Sequence, residues 1–129
     1  MTTTKEIHLS RTDYDKLSGI LASMKRKGNL NAPHLRTLMK ELTSAVIVPE
    51  GENPPGIVGM GSTVEYDNPL TGTSEKARLV FPVDADAEQR NISVLAPLGA
   101  ALIGETVDTE VQCLAPDTTW TLHIRKVEH

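Results

Sequence analysis

Three features of the 129-residue sequence predict an α+β fold. Two stretches before residue 46 repeat apolar residues with helical period, a run dense in helix breakers follows, and period-two alternation begins at Ile57. The expected architecture is a short antiparallel helical hairpin over residues 1–48, forming a coiled-coil-like arm. A linker over 49–56 and a small antiparallel sheet with one short helix over 57–129 complete it.

Residues 10–27 read as the first helix. Ser10 and Asp13 have capping-box spacing, the aspartate standing where Glu or Gln is commoner. Tyr14, Leu17, Leu21 and Met24 share one stripe, and Lys25, Arg26 and Lys27 fall at the negative end of the helix dipole. Gly28 is placed to end the helix in the left-handed conformation. Asn31 is the expected cap of the second helix, Pro33 is tolerated in its first turn, and Leu35, Leu38, Leu42 and Ala45 form its stripe. Two such helices form a hairpin on the order of 20 to 25 Å long at 1.5 Å per residue. An isolated hairpin of that size is marginal, so its base is expected to rest on the rest of the chain.

Pro49, Gly51, Pro54, Pro55 and Gly56 cannot continue a helix and set the boundary. Strands are expected at 62–67 and 76–81, the second with Ala77, Leu79 and Phe81 on one face, joined by the turn Asn68-Pro69-Leu70-Thr71-Gly72. A short strand at 91–95 leads into an apolar helix at 97–103 that Gly104 ends. The last hairpin pairs 109–114 with 119–127 across Ala115-Pro116-Asp117-Thr118, with Trp120, Leu122 and Ile124 inward.

Composition narrows the function classes. Tyr14, Tyr66, Phe81 and Trp120 are the only rings, so the core is aliphatic and base stacking or an aromatic cage is disfavoured. Cys113 is the sole cysteine, which excludes a disulfide framework and a cysteine zinc site and fits a reducing compartment. The first ten residues carry no apolar run of the length a secretion signal needs, and no stretch approaches the roughly 18 apolar residues of a membrane span. A cytoplasmic location without membrane contact is expected.

The net charge of -4 conceals an asymmetry. Residues 16–40 hold Lys16, Lys25, Arg26, Lys27, Arg36 and Lys40 and no acid, a charge of +6. The other 7 of the 13 bases face all 17 acids, leaving -10 on the remainder. Lys25, Arg26, Lys27, Arg36 and Lys40 are candidates for contact with an acidic protein surface or weak contact with nucleic acid. Dipole complementation, about 0.3–1 kcal/mol per charge, accounts for only one or two of the first three.

His8, His34, His123 and His129 have no metal-ligand spacing and are expected to face solvent. Cys113 is expected to be a buried structural thiol, and Leu102 and Ile103 to lie in the core. Asp84, Asp86 and Glu88 alternate with alanine as a solvated loop, without the glycine turn and terminal glutamate of a calcium loop. No nucleophile, base and orienting group assemble into a catalytic set, so no enzyme activity, metal or cofactor is expected.

The run Ile92-Ser93-Val94-Leu95-Ala96-Pro97-Leu98-Gly99-Ala100-Ala101-Leu102-Ile103-Gly104 resembles a segment of the carboxyl-terminal domain of the Gre transcript-cleavage factors. The same segment occurs in their short relatives of the Rnk type, regulators of nucleoside diphosphate kinase. Gly61-Ser62-Thr63-Val64 and Ala77-Arg78-Leu79-Val80-Phe81-Pro82 extend the resemblance upstream, so that it covers roughly residues 57–127. Where the family pattern has glycines around the last hairpin, this chain has Thr106-Val107-Asp108 and Pro116-Asp117-Thr118.

The resemblance implies a fold similar to that of FK506-binding proteins and RNA polymerase as partner. It also implies a docking loop at Leu95, Ala96, Pro97 and Leu98 that meets the rim of the polymerase secondary channel. Gre factors carry a long arm whose acidic tip helps hold a catalytic metal; here no carboxylate lies between Asp15 and Glu41, and Mg²⁺ needs hard oxygen ligands. The implied function is therefore non-catalytic regulation of transcription by competition with Gre-type factors, without stimulated cleavage. A nucleic-acid-binding module using the basic arm is the alternative. A prolyl isomerase or chaperone role is less favoured, because an isomerase pocket of that type is lined with rings and only three follow residue 57.

Overall fold

A computed structural model describes residues 7–49, 56–115 and 118–128. The first helix, α1 (Arg11–Arg26), starts where Ser10 in extended conformation accepts the Asp13 amide at 3.1 Å. It ends as Gly28 turns to φ +74°. The second, α2 (Pro33–Thr43), has Pro33 in its first turn, but its N-cap is Ala32. Asn31 instead donates its side-chain amide back to the Gly28 carbonyl at 3.1 Å, holding the inter-helix turn. The helix stops at Thr43, short of Ala45.

Two three-residue strands flank the hairpin. β1 (His8–Ser10) and β2 (Val46–Val48) pair in parallel, with Leu9 opposite Ile47. Period-two reading needs longer segments than these, and the continuous Val46-Ile47-Val48 run is ambiguous by periodicity. The His8 amide donates to the Gly104 carbonyl at 3.1 Å, tying this pair to the carboxyl half. Gly104 has φ +75°, and a Cβ there would lie 2.6 Å from Cβ of Ile7, so both its conformation and the close approach require glycine.

The carboxyl half is a five-stranded sheet: β3 (Thr63–Asn68), β4 (Thr73–Val80), β5 (Asn91–Ser93), β6 (Glu110–Leu114) and β7 (Thr119–Glu128), in spatial order β5-β4-β3-β7-β6. Asn68 builds the β3–β4 turn by accepting the Leu70 amide on its side chain and the Gly72 amide on its carbonyl. Pro116, Asp117 and most of the 49–56 linker lie outside the described residues, as does His129.

The sheet is mixed where an antiparallel one was expected, because β5 runs parallel to β4. Between them the chain makes two 3₁₀ turns, Pro82–Asp84 and Ala87–Gln89. Asp86 and Asn91 then exchange backbone hydrogen bonds across Arg90, which sits at φ 59°. That excursion returns the chain alongside β4 in the same direction, and alternation of side chains carries no information about strand direction. Asp108, at φ 65°, adopts a conformation glycine favours, within the Thr106-Val107-Asp108 segment that departs from the glycines of the resembling pattern.

One buried cluster unites the two halves. Leu17, Leu21, Leu35, Leu38 and Leu42 of the hairpin share it with Val64, Tyr66, Leu79, Val94, Leu102, Ile103, Val111, Leu122 and Ile124. The helix α3 (Pro97–Leu102) packs against both α2 and β6. Cys113 is 2% exposed, and burial pushes its thiol above the ordinary range.

Candidate functional site

The loop at 95–98 is built by its neighbours. Ser93 at the end of β5 accepts the Leu95 amide on Oγ and the Ala96 amide on its carbonyl, both at 3.0 Å. Ala96 is the extended N-cap of α3, and Pro97 opens the helix where no amide is needed. Gly99 lies directly on the Ser93 carbonyl, so any Cβ would overlap it. Leu95, Ala96, Pro97 and Leu98 are consequently all half-buried, with Leu95 and Leu98 packed on the core edge. Leu102 and Ile103 are each 1% exposed and belong to the core.

Two features of this surface escape sequence reading. His34, expected in solvent, donates Nε2–H to the Leu95 carbonyl at 2.8 Å, so the first turn of α2 braces the loop. Nothing in a lone histidine at that position signals the contact. The parallel pairing of β4 and β5 also brings the Phe81–Asp84 turn to the same end of the sheet as the 95–98 loop. Val83 on that turn is 88% exposed, and Asp84, Asp86 and Glu88 are exposed beyond it. Once β5 is known to run parallel to β4, this apolar extension follows.

A polar network fixes the entry to β5. Arg90 donates to Glu75 and to the Tyr66 hydroxyl, each at 3.3 Å, and to the Lys76 carbonyl at 3.1 Å. Tyr66 donates to Glu75 at 3.0 Å. Burial, with the Glu75 hydrogen bond and charge added, pushes the Tyr66 hydroxyl up to about 12. Burial works to raise the Glu75 carboxyl, but donors from Tyr66, Arg90, Thr71 and Asn68 outweigh it and leave the group below its usual range.

The basic candidates divide. Lys25, Arg26, Lys27, Arg36 and Lys40 are all exposed, and none forms an ion pair among the described residues. Lys25, Arg36 and Lys40 line a groove of about 410 Å³ together with Leu30 and Met39, whereas Arg26 and Lys27 do not line it. The flanking acids stay away from this groove. Asp15 pairs with Arg11 at 3.4 Å on the exposed side of α1, and Glu41 is 4% exposed. Among the described residues no three His, Cys, Asp or Glu side chains are grouped to hold a metal ion. No helix there is long and apolar enough to cross a membrane.

The hairpin also rests on the sheet near its start. Asp13 accepts the Met60 amide at 3.2 Å, and the Lys16 ammonium stands 5.6 Å over the Phe81 ring. Asp13 and Lys16 make the base contact expected of the hairpin, and His34, in the first turn of α2, adds one near its other end.

Residues 53–129 match the carboxyl-terminal domain of the transcription elongation factors GreA and GreB. Over 105 residues the chain is 34% identical to the transcription inhibitor protein Gfh1 of Thermus thermophilus, covering 80% of this chain and 65% of that protein. It is 30% identical over 105 residues to transcription elongation factor GreA of Syntrophobacter fumaroxidans, covering 81% of this chain and 67% of the relative. The chain therefore spans about two thirds of the length of these relatives. A solved structure of a GreA/GreB transcription elongation factor from Nitrosomonas europaea superposes with a TM-score of 0.76 at 30% identity, covering 97% of this chain and 99% of that one. The crystal structure of Thermus aquaticus Gfh1 gives a TM-score of 0.52 at 21% identity, covering 96% and 99%, a likeness of fold.

Proposed function

The chain belongs to the GreA/GreB transcription elongation factor family, and from that premise we propose that it binds RNA polymerase as a non-catalytic regulator of transcription. In this reading it occupies the rim of the secondary channel and excludes Gre-type factors, without stimulating transcript cleavage. The observation that carries it is the hairpin tip: exposed Lys25, Arg26 and Lys27 stand there, and no carboxylate lies between Asp15 and Glu41. Cleavage assisted by a second Mg²⁺ needs carboxylate oxygens at the tip, and cations there repel the ion. Similarity to a relative named as a transcription inhibitor supports the same direction.

The docking face in this reading is Leu95, Ala96, Pro97 and Leu98, extended by Val83. Partly exposed aliphatic side chains on a backbone held by Ser93, Gly99 and His34 present a preformed surface, so little ordering is needed on binding. Kinship with the short Rnk-type relatives fits helices of 16 and 11 residues, about 24 and 16 Å long. An FK506-binding-protein-like class for the sheet, no enzymatic activity and a cytoplasmic location complete the proposal.

Pull-down of purified core RNA polymerase, followed by competition with a Gre factor, tests it. Retention at micromolar concentration and displacement by the competitor are expected; no retention sinks the proposal. Assay of backtracked complexes is expected to show cleavage at the intrinsic rate, and acceleration would overturn the reading of the tip.

A further inference from the structure

The groove between the end of α1 and the outer face of α2 combines three cations with an aliphatic floor. Lys25 approaches from α1, and Arg36 and Lys40 stand one helical turn apart on α2. Leu30 and Met39, both half-buried, supply the apolar lining, with Asn31 and Thr43 at the margins. Arg36 donates to the Leu30 carbonyl at 3.4 Å, which fixes part of the rim.

Leu35, Leu38 and Leu42 face the core, Met39 packs half-buried against its edge, and Arg36, Lys40 and Thr43 are exposed beside it, so among the described residues the groove opens between the core edge and solvent. Met39 keeps part of its side chain accessible at that edge, and the three like charges around it repel one another in the absence of an acidic partner.

We propose that this groove receives one acidic amphipathic helix of a protein partner, packed beside α1 and α2 as a third helix. Carboxylates at i and i+4 on the incoming helix match the one-turn spacing of Arg36 and Lys40, and an aliphatic side chain between them fills the space over Leu30 and Met39. Methionine suits such a contact because its unbranched, polarisable side chain adapts to its neighbour. The volume, about 410 Å³, suits a few side chains. No ring lines the groove to stack a base, which favours a protein helix over a nucleic acid. The inference rests on the tip's part of the proposed function, but it concerns a ligand that can be supplied without polymerase.

The test uses the full chain and a fluorescein-labelled, helix-favouring peptide with a leucine stripe flanked by glutamates at i, i+4, read by anisotropy. A glutamine-for-glutamate peptide and a single-stranded oligonucleotide of equal charge serve as comparisons. Binding of the acidic peptide is expected, weakened at least tenfold by Arg36→Glu combined with Lys40→Glu and several-fold by Met39→Gln. Circular dichroism verifies that these variants keep their helices.

Absence of peptide binding, equal binding of the glutamine peptide, or indifference to the double variant overturns the proposal. Tighter binding of the oligonucleotide assigns the groove to nucleic acid and overturns it as well. Dimerisation of the chain alone, abolished by the double variant, gives the groove to a second copy with the same consequence. Failure of polymerase pull-down with retained peptide binding would sink the proposed function and leave this inference standing.

Discussion

The 95–98 loop and the basic hairpin tip are both candidate contact surfaces, and they are built on opposite principles. The loop is specified by shape: Ser93, Gly99, Pro97 and His34 fix its backbone, and its side chains are half-buried. The tip is specified by charge: its cations are exposed, and shape enters only at Leu30 and Met39. Shape-built surfaces lose affinity through packing changes that salt does not mask, and charge-built surfaces lose it with rising ionic strength.

The largest expected effect breaks the loop itself. In Gly99→Ala the new Cβ overlaps the Ser93 carbonyl and comes within 2.9 Å of Val94 Cα, both backbone atoms. Loss of stability at the upper end of the roughly 1–3 kcal/mol range for overpacking is expected, read by urea denaturation.

Next in size are substitutions that separate the two principles. Leu98→Ala is expected to weaken polymerase binding about tenfold, about 1.4 kcal/mol, at every salt concentration. Val83→Ser, at a position 88% exposed, is expected to weaken it in the same salt-independent manner with stability unchanged. Joint replacement of Lys25, Arg26 and Lys27 by glutamine is expected to cost a few-fold at low salt and nothing at high salt. Titration of labelled protein against core polymerase at two ionic strengths distinguishes the patterns, and identical salt dependence would erase the contrast.

His34→Ala sharpens the comparison by cutting the bridge between the two regions. The hydrogen bond to Leu95 is worth about 1 kcal/mol by analogy with similar bonds, a loss measurable by denaturation. A double-mutant cycle with Arg36→Gln is expected to show additivity in stability, since Arg36 is exposed and shares no hydrogen-bond partner with His34 among the described residues.

The smallest effect at neutral pH concerns the network that seats β5. Because the Tyr66 hydroxyl is raised from 10.0 to about 12 in the folded chain, its contribution to stability is complete below pH 10 and declines as pH rises through about 12. Phenolate absorbance is expected to report Tyr66 only in that alkaline window. Glu75→Gln is expected to lower its midpoint by removing the carboxylate that holds the proton.

Much of the fold is legible in the residues. Ser10, Gly28 and Pro33 mark helix boundaries through caps and backbone constraints that act locally. Asn68 and Gly72 mark the β3–β4 turn in the same way. What escapes depends on long-range geometry. The direction of β5 is set by Arg90 and the Asp86–Asn91 exchange, and β1 and β2 exist because Ile7, Leu9 and Gly104 meet. The candidate loop is readable through the family resemblance, whereas His34 and Val83 join it only through tertiary contacts. Lys25, Arg36 and Lys40 stand out in the sequence as unbalanced charge, but their convergence on Leu30 and Met39 requires the hairpin to be folded.

The parallel pair of β1 and β2 ties the two ends of the hairpin together. The pairing of residues 8–10 with 46–48 closes a loop that contains both helices, and the His8 bond to Gly104 adds a partner much further along the chain. The helices are expected to open together with the β1–β2 clasp, and amide exchange at Val46, whose N–H donates to the Ile7 carbonyl at 2.8 Å, is expected to report that joint opening.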